Sequence, residues 1–195
     1  MKLIVGLIGY SSSGKGTLAK FLGRRYGISV VSTGAIVRRE VRRLGLSLTS
    51  ENVMTVSDLM RATMGQRFMQ LAVEDMRNTL EQSLPVILDS LREPNDLKTL
   101  LDVADCVKTI AIFSPSSLRY RRMASRKRAG DPTSLKQFQK LEDFERDLGI
   151  SKLIESATHV VLNDGDISAL YNQGIRIMET IMTQASLKLT GLQEI

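Results

Sequence analysis

The residues best placed to do chemistry stand in one run, Gly9-Tyr10-Ser11-Ser12-Ser13-Gly14-Lys15-Gly16-Thr17. They follow a short apolar stretch, Lys2 to Ile8, and lead into a helix-like segment, Lys15 to Arg25. Strand, glycine-rich turn and helix are the context that a phosphate-binding loop requires. Gly9 and Gly14 let the backbone curl so that successive N–H groups point inward. The helix that follows adds its unsatisfied N-terminal donors and its positive dipole end. Lys15 then sets an ammonium on the outer phosphates, and each such charge-assisted bond contributes roughly 1.5–3 kcal/mol. Ser11, Ser12, Ser13, Gly14, Lys15, Gly16 and Thr17 are the candidate phosphate-binding residues. A Gly/Ser-rich turn with a solvated lysine is the bland alternative, and the spacing and flanks disfavour it.

Arginine supplies the second chemical signal. The net charge is +6. One cluster holds Arg38, Arg39, Arg42 and Arg43, offset by Glu40; a second holds Arg119, Arg121, Arg122, Arg126, Lys127 and Arg128. Without both clusters, +3 and +6, the chain carries −3. The basic character is therefore local, which points to a small polyanion or to a nucleic-acid patch. Helical spacing puts Arg38 and Arg42 on one side, so only one or two of the first four meet a substrate.

Composition narrows the chemistry further. One histidine, His159, removes His-His metal pairs and a histidine-based triad, and one cysteine, Cys106, removes an internal disulfide. His159 reads as structural and Cys106 as a small buried hydrophobe. The nine methionines read as flexible packing rather than a metal site. With 195 residues, 43% hydrophobic and 25% charged, the chain is of single-domain size and globular composition. The apolar run at the N-terminus is too short for a signal peptide, and no stretch is long enough to span a membrane. A cytoplasmic protein is expected, and the oligomeric state is left open.

The elements that must position these residues follow from periodicity. Strands are expected at Lys2–Ile8, Ile28–Val31, Val86–Asp89, Thr109–Phe113 and His159–Leu162. Helices are expected at Lys15–Arg25, Ala35–Leu44, Asn95–Val103, Ser117–Arg128, Leu135–Leu148, Ser151–Ser156 and Ile167–Leu189. Glu51–Gln82 reads as two further helices with a break near Gly65. Short apolar strands alternating with helices mean an α/β fold, a five-stranded parallel sheet with helices on both faces. Ligands on such sheets bind beyond the carboxyl ends of the strands, where the polar clusters fall.

The Gly14-Lys15-Gly16-Thr17 ending resembles adenylate kinase and other nucleoside-monophosphate kinases, members of the P-loop NTPase fold. Three further stretches carry the likeness: Ser32-Thr33-Gly34 with Arg38, Leu88-Asp89-Ser90-Leu91-Arg92, and the arginine-rich 117–128. The resemblance covers about residues 3 to 180. It implies ATP with magnesium (Mg2+), the metal held mostly through water by Asp89 and Thr17. It places Thr33 and Gly34 near an acceptor base, and Arg38 and Arg92 on the acceptor's phosphate. Asn95 or Asp96 would read the base. Arg122 and Arg126 would stabilise the moving phosphoryl group together with Lys15 and Asp89.

Where adenylate kinase carries a β-ribbon lid, Gly130-Asp131-Pro132 turns here into a second helix. That feature, with Glu145-Arg146-Asp147-Leu148-Gly149 and Val160-Val161-Leu162-Asn163, is closer to two relatives. One is an archaeal adenylate-kinase-related family; the other is the kinase-like module fused to some deoxycytidylate deaminases. The helical lid and the Asn163-Asp164-Gly165 ending also resemble dephospho-coenzyme A kinase, and put Asn163 on the ATP side. The implied organisation is a core of 1–33, 84–116 and 149–195, an acceptor-binding insertion at 34–83 and a helical lid at 117–148. The expected function is phosphoryl transfer from ATP to a nucleoside monophosphate. The alternatives are a kinase with a hydroxyl acceptor, dephospho-coenzyme A above all, and a regulatory or nucleic-acid-linked ATPase. Nucleic acid is the less favoured partner because aromatics make up only 5% of the chain, too few for stacking.

Overall fold

The structure is a computed structural model that describes residues 1–65 and 67–191. Gln66, in the expected insertion, and residues 192–195, in the expected core, lie outside the described residues. The strands are β1 (Leu3–Ile8), β2 (Ser29–Ser32), β3 (Val86–Leu91), β4 (Cys106–Phe113) and β5 (His159–Leu162). They form one sheet in the order β2-β3-β1-β4-β5, with every neighbouring pair parallel. β1 lies at the centre and is buried along its whole length, which is why it reads as an unbroken apolar run.

Helices cover both faces. On one lie α1 (Lys15–Tyr26) and α9 (Ile167–Gly191), whose Leu18, Leu22, Leu170, Met178 and Ile181 pack on Val5, Leu7 and Ile110. On the other lie α2 (Thr33–Arg43), α3 (Ser50–Met64), α4 (Arg67–Glu81), α5 (Pro94–Leu101) and α8 (Ile150–Glu155). Ile36, Val56, Phe68, Leu100 and Leu153 from these five meet Ile4, Ile8 and Leu88. Two more helices, α6 (Ser116–Arg126) and α7 (Leu135–Asp147), precede α8 between β4 and β5. The α/β arrangement, the five parallel strands and the break at Gly65 agree with expectation. Among the described residues no helix is long and apolar enough to cross a membrane.

Several boundaries differ, each for a local reason. α2 starts at Thr33, two residues before the expected Ala35, directly from the end of β2. β3 does not stop at Asp89 but runs to Leu91, through a register shift opposite Leu7 and Ile8, because Ser90 and Leu91 are buried. α6 ends at Arg126, since Lys127 takes a left-handed conformation with φ 44°, so Lys127 and Arg128 leave the helix. Cys106 is half-buried at the start of β4 rather than deep in the core.

Candidate active site

The loop after β1 is shaped by two glycines at positive φ, a conformation that L side chains rarely adopt. Gly9 has φ 144°, and a Cβ there would lie 2.5 Å from the Ile112 carbonyl oxygen of β4. Gly14 has φ 108°, and a Cβ there would collide with Asn163 Nδ2. Ser12 between them is also left-handed, at φ 63°, so the backbone turns through the alternating geometry that makes an anion nest. Ser13 N closes the turn on the Tyr10 carbonyl at 3.1 Å. The Ser12 and Ser13 hydroxyls are buried without a partner.

Lys15 opens α1 and is buried. Its Nζ donates to the carbonyls of Gly9 at 2.5 Å and Tyr10 at 2.9 Å. Burial, with Arg92 nearby, lowers its pKa to about 8 against the opposing pull of Glu145 and Asp89. Asp89 stands two residues before the end of β3, across from this helix start, its Oδ2 3.1 Å from where a Gly16 Cβ would be. Asp89 and the exposed Thr17 line one open groove with Ser11, Ser12, Gly14, Lys15 and Gly16. A carboxylate and a hydroxyl beside a phosphate loop are hard oxygen donors, too few to cage an ion, which fits a largely hydrated Mg2+. Among the described residues no group of three or more His, Cys, Asp or Glu side chains could hold a metal ion.

Asn163 follows β5 and is buried. Its Nδ2 donates to the Ser13 carbonyl at 2.7 Å, and its Oδ1 and carbonyl accept from Arg122 at 3.1 Å. Arg122 also donates to Ser114 Oγ at 2.9 Å. Asn163 thus supports the loop from beneath and aims Arg122 at the groove, which both residues line. Burial lowers the Arg122 pKa, with Asp164 opposing.

A second, smaller cavity of about 60 Å³ adjoins the groove. Ser11, Gly34, Arg38, Arg92 and Arg126 line both, so they mark the junction. The second cavity is otherwise framed by α2, α3, α4 and α7, through Thr33, Val37, Ser50, Ser57, Phe68 and Phe144 among others. Arg38 donates to the Gly34 carbonyl at 2.7 Å, while its Nε has no partner. Burial first, then Arg128, Arg92 and Arg126, lower its pKa to about 10 despite Asp131. Arg126 is held by Asp131 at 2.5 Å and 2.9 Å.

Three residues take roles that the sequence did not suggest. Thr33 is buried, lines the second cavity, and its hydroxyl donates to the Ser90 carbonyl at 2.8 Å, which ties α2 to β3. Asp96 lines neither cavity. It is buried, accepts from the Arg92 and Glu93 amides and pairs with buried Arg61, while Asn95 is exposed. Arg119 of the second cluster is also structural: it pairs with Glu142 and lies over the Tyr10 ring. Arg39 and Arg43 pair with Asp75 and Glu40 on the surface, away from the junction.

Glu145 lies against the candidate site, and periodicity did not single it out. It comes from the last turn of α7, and its side chain is fully buried against the loop. Oε2 accepts from the Ser11 amide at 2.8 Å, Oε1 accepts from Ser11 Oγ at 2.7 Å, and Arg92 pairs with Oε1. Burial alone would push this carboxyl up, but Arg92, Lys15 and the two Ser11 bonds outweigh it and hold it below the ordinary value. Nothing in the local sequence sets Glu145 apart from its acidic neighbours.

A parallel sheet in this order, with a glycine-rich loop between the central strand and a helix, is the P-loop kinase fold. The solved structures of similar fold include a shikimate kinase from Acinetobacter baumannii in complex with shikimate (14% identity, TM-score 0.61, 94% of each chain). A gluconokinase from Sinorhizobium meliloti is another (17% identity, TM-score 0.59, 93% of this chain and 95% of that one). The family model described as an AAA domain matches residues 8–139. A UPF0200 protein of Thermococcus gammatolerans is 34% identical over 166 residues, 84% of this chain and 87% of its own. That of Thermococcus kodakarensis is 33% identical over 166 residues, 84% and 89% of the two chains. The chain belongs to the AAA domain family and to the UPF0200 proteins. The archaeal likeness read from the sequence is borne out by these relatives.

Proposed function

We propose that the protein transfers the γ-phosphoryl group of ATP to a nucleoside monophosphate. One observation carries the reading. Arg38 sits at the junction with no carboxylate partner among the described residues, crowded by Arg92, Arg126 and Arg128. Cations held together in a half-buried cavity suit a ligand that brings its own anion. The loop with Lys15 would take the ATP phosphates, and Arg38 and Arg92 the acceptor's phosphate. Thr33 and Gly34 would lie beside the acceptor. Arg122 and Arg126, from the helical lid 117–148, would meet the charge that spreads over the transferring oxygens. Asn163 would position the ATP side through Ser13 and Arg122. Asp89 and Thr17 would hold Mg2+ mostly through water, and the bound ion would neutralise phosphate charge. An acceptor phosphate is already anionic at neutral pH, so no general base is demanded.

A second reading, a hydroxyl acceptor of the dephospho-coenzyme A kind, is favoured by Asp89. That carboxylate has no ion-pair partner among the described residues and lines the groove, where it can take a proton. Initial-rate kinetics with Arg38→Ala test the first reading. Losing one charge-assisted bond raises the acceptor KM by about tenfold or more and leaves the ATP KM within about twofold. A shift in the ATP KM alone overturns it.

A further inference from the structure

Glu145 places a carboxylate where the phosphate loop meets the second cavity. Its partners are a main-chain amide of the loop, a hydroxyl of the loop and a guanidinium. Those are the donors that a phosphate group takes, and they converge on two oxygens of one buried anion. Ser11 and Arg92, the residues it holds, both line the groove and the cavity. Other contacts also fasten α7 and its neighbours to the loop. Arg119 does that through Glu142 and the Ser11 carbonyl, and Tyr10 Oη meets Ser151 Oγ of α8 at 3.1 Å.

We propose that Glu145 is a built-in occupant of an anion site at the junction of the groove and the second cavity, which the acceptor's phosphate monoester dianion must displace to reach Ser11 and Arg92. The inference rests on the reading of an anionic acceptor and adds the residue that selects for it. Two anions cannot share these donors in a buried site, because their repulsion there is poorly screened. A dianion with three oxygens outcompetes a single carboxylate, whereas a neutral acceptor or a water molecule does not. Glu145 therefore makes access to the transfer site depend on the acceptor's charge. When displaced, the carboxylate leaves ionised towards solvent with the last turn of α7.

The test uses inorganic phosphate as the probe and needs no nucleotide. Phosphate is titrated calorimetrically into the wild-type chain, E145Q and the double variant E145Q/R92Q, each with its melting temperature recorded. E145Q keeps the side chain's shape and removes its charge. The expected result is at least a tenfold gain in phosphate affinity in E145Q that disappears in the double variant. No gain, or a gain that survives loss of Arg92, overturns the proposal. Hydrogen exchange on the wild-type chain gives a reading that needs no variant. Phosphate should speed exchange in the last turn of α7, and unchanged exchange there contradicts displacement. Phosphate displacement without any monophosphate turnover would defeat the proposed function and leave this inference standing. Turnover without displacement would do the reverse.

Discussion

Lys15 is held on two loop carbonyls with its pKa lowered to about 8, chiefly by burial. Phosphates brought beside it favour the charged form and raise that pKa again. Nucleotide binding at pH 8.5 should therefore take up protons, and affinity should fall as pH rises above about 8. Calorimetry in buffers of different ionisation enthalpy measures the uptake; Lys15→Met should abolish it, and release of protons would contradict the assignment. Gly14 offers a harder test of the loop's shape. Gly14→Ala adds a Cβ at φ 108° that collides with Asn163 Nδ2, so nucleotide affinity should drop at least about tenfold in a fluorescence titration. The loop residues were legible because they are contiguous and their types dictate a backbone shape. Glu145 was not, because it reaches Ser11 across 134 residues of sequence. Asp96 was hard to place for a related reason: a polar side chain beside a site looks the same in sequence whether it faces a ligand or satisfies buried backbone.

At the scale of elements, the second cavity is framed by α2, α3, α4 and α7, and their anchorage decides its shape. Arg61 of α3 is buried over Phe68 and pairs with Glu93 and Asp96 at the start of α5. Asp96 also caps α5 through the Arg92 and Glu93 amides, so it fixes the backbone that carries Arg92. Asp96→Ala leaves Arg61 short of a partner and opens that cap. It should cost about 3–5 kcal/mol in urea unfolding. Asp96→Asn, which keeps the acceptor oxygen for the cap, should cost less; equal losses would show that the cap contributes nothing. The strands and most helices were legible from apolar periodicity. The ends of β3 and α6 were not, since a register shift and a left-handed Lys127 depend on what packs against them.

For the whole molecule, folding gathers two basic clusters, distant in sequence, around one groove. Arg38 comes from the first, Arg122, Arg126 and Arg128 from the second, and Arg92 joins them from the end of β3. The remaining arginines of those clusters that carry an ion pair are used on the surface or in the structure. That sorting could not be read from charge counts, because helical phase alone does not say which face meets the groove. It favours a small polyanion over an extended nucleic-acid track. The most direct test of the central claim is phosphorus NMR of ATP and Mg2+ with a panel of ribo- and deoxynucleoside monophosphates plus dephospho-coenzyme A, using wild type and Lys15→Ala. The account predicts that one monophosphate becomes a diphosphate in step with ADP formation, and that Lys15→Ala shows neither. Phosphorylation of dephospho-coenzyme A alone, or silence across the panel with ATP still bound, would contradict it.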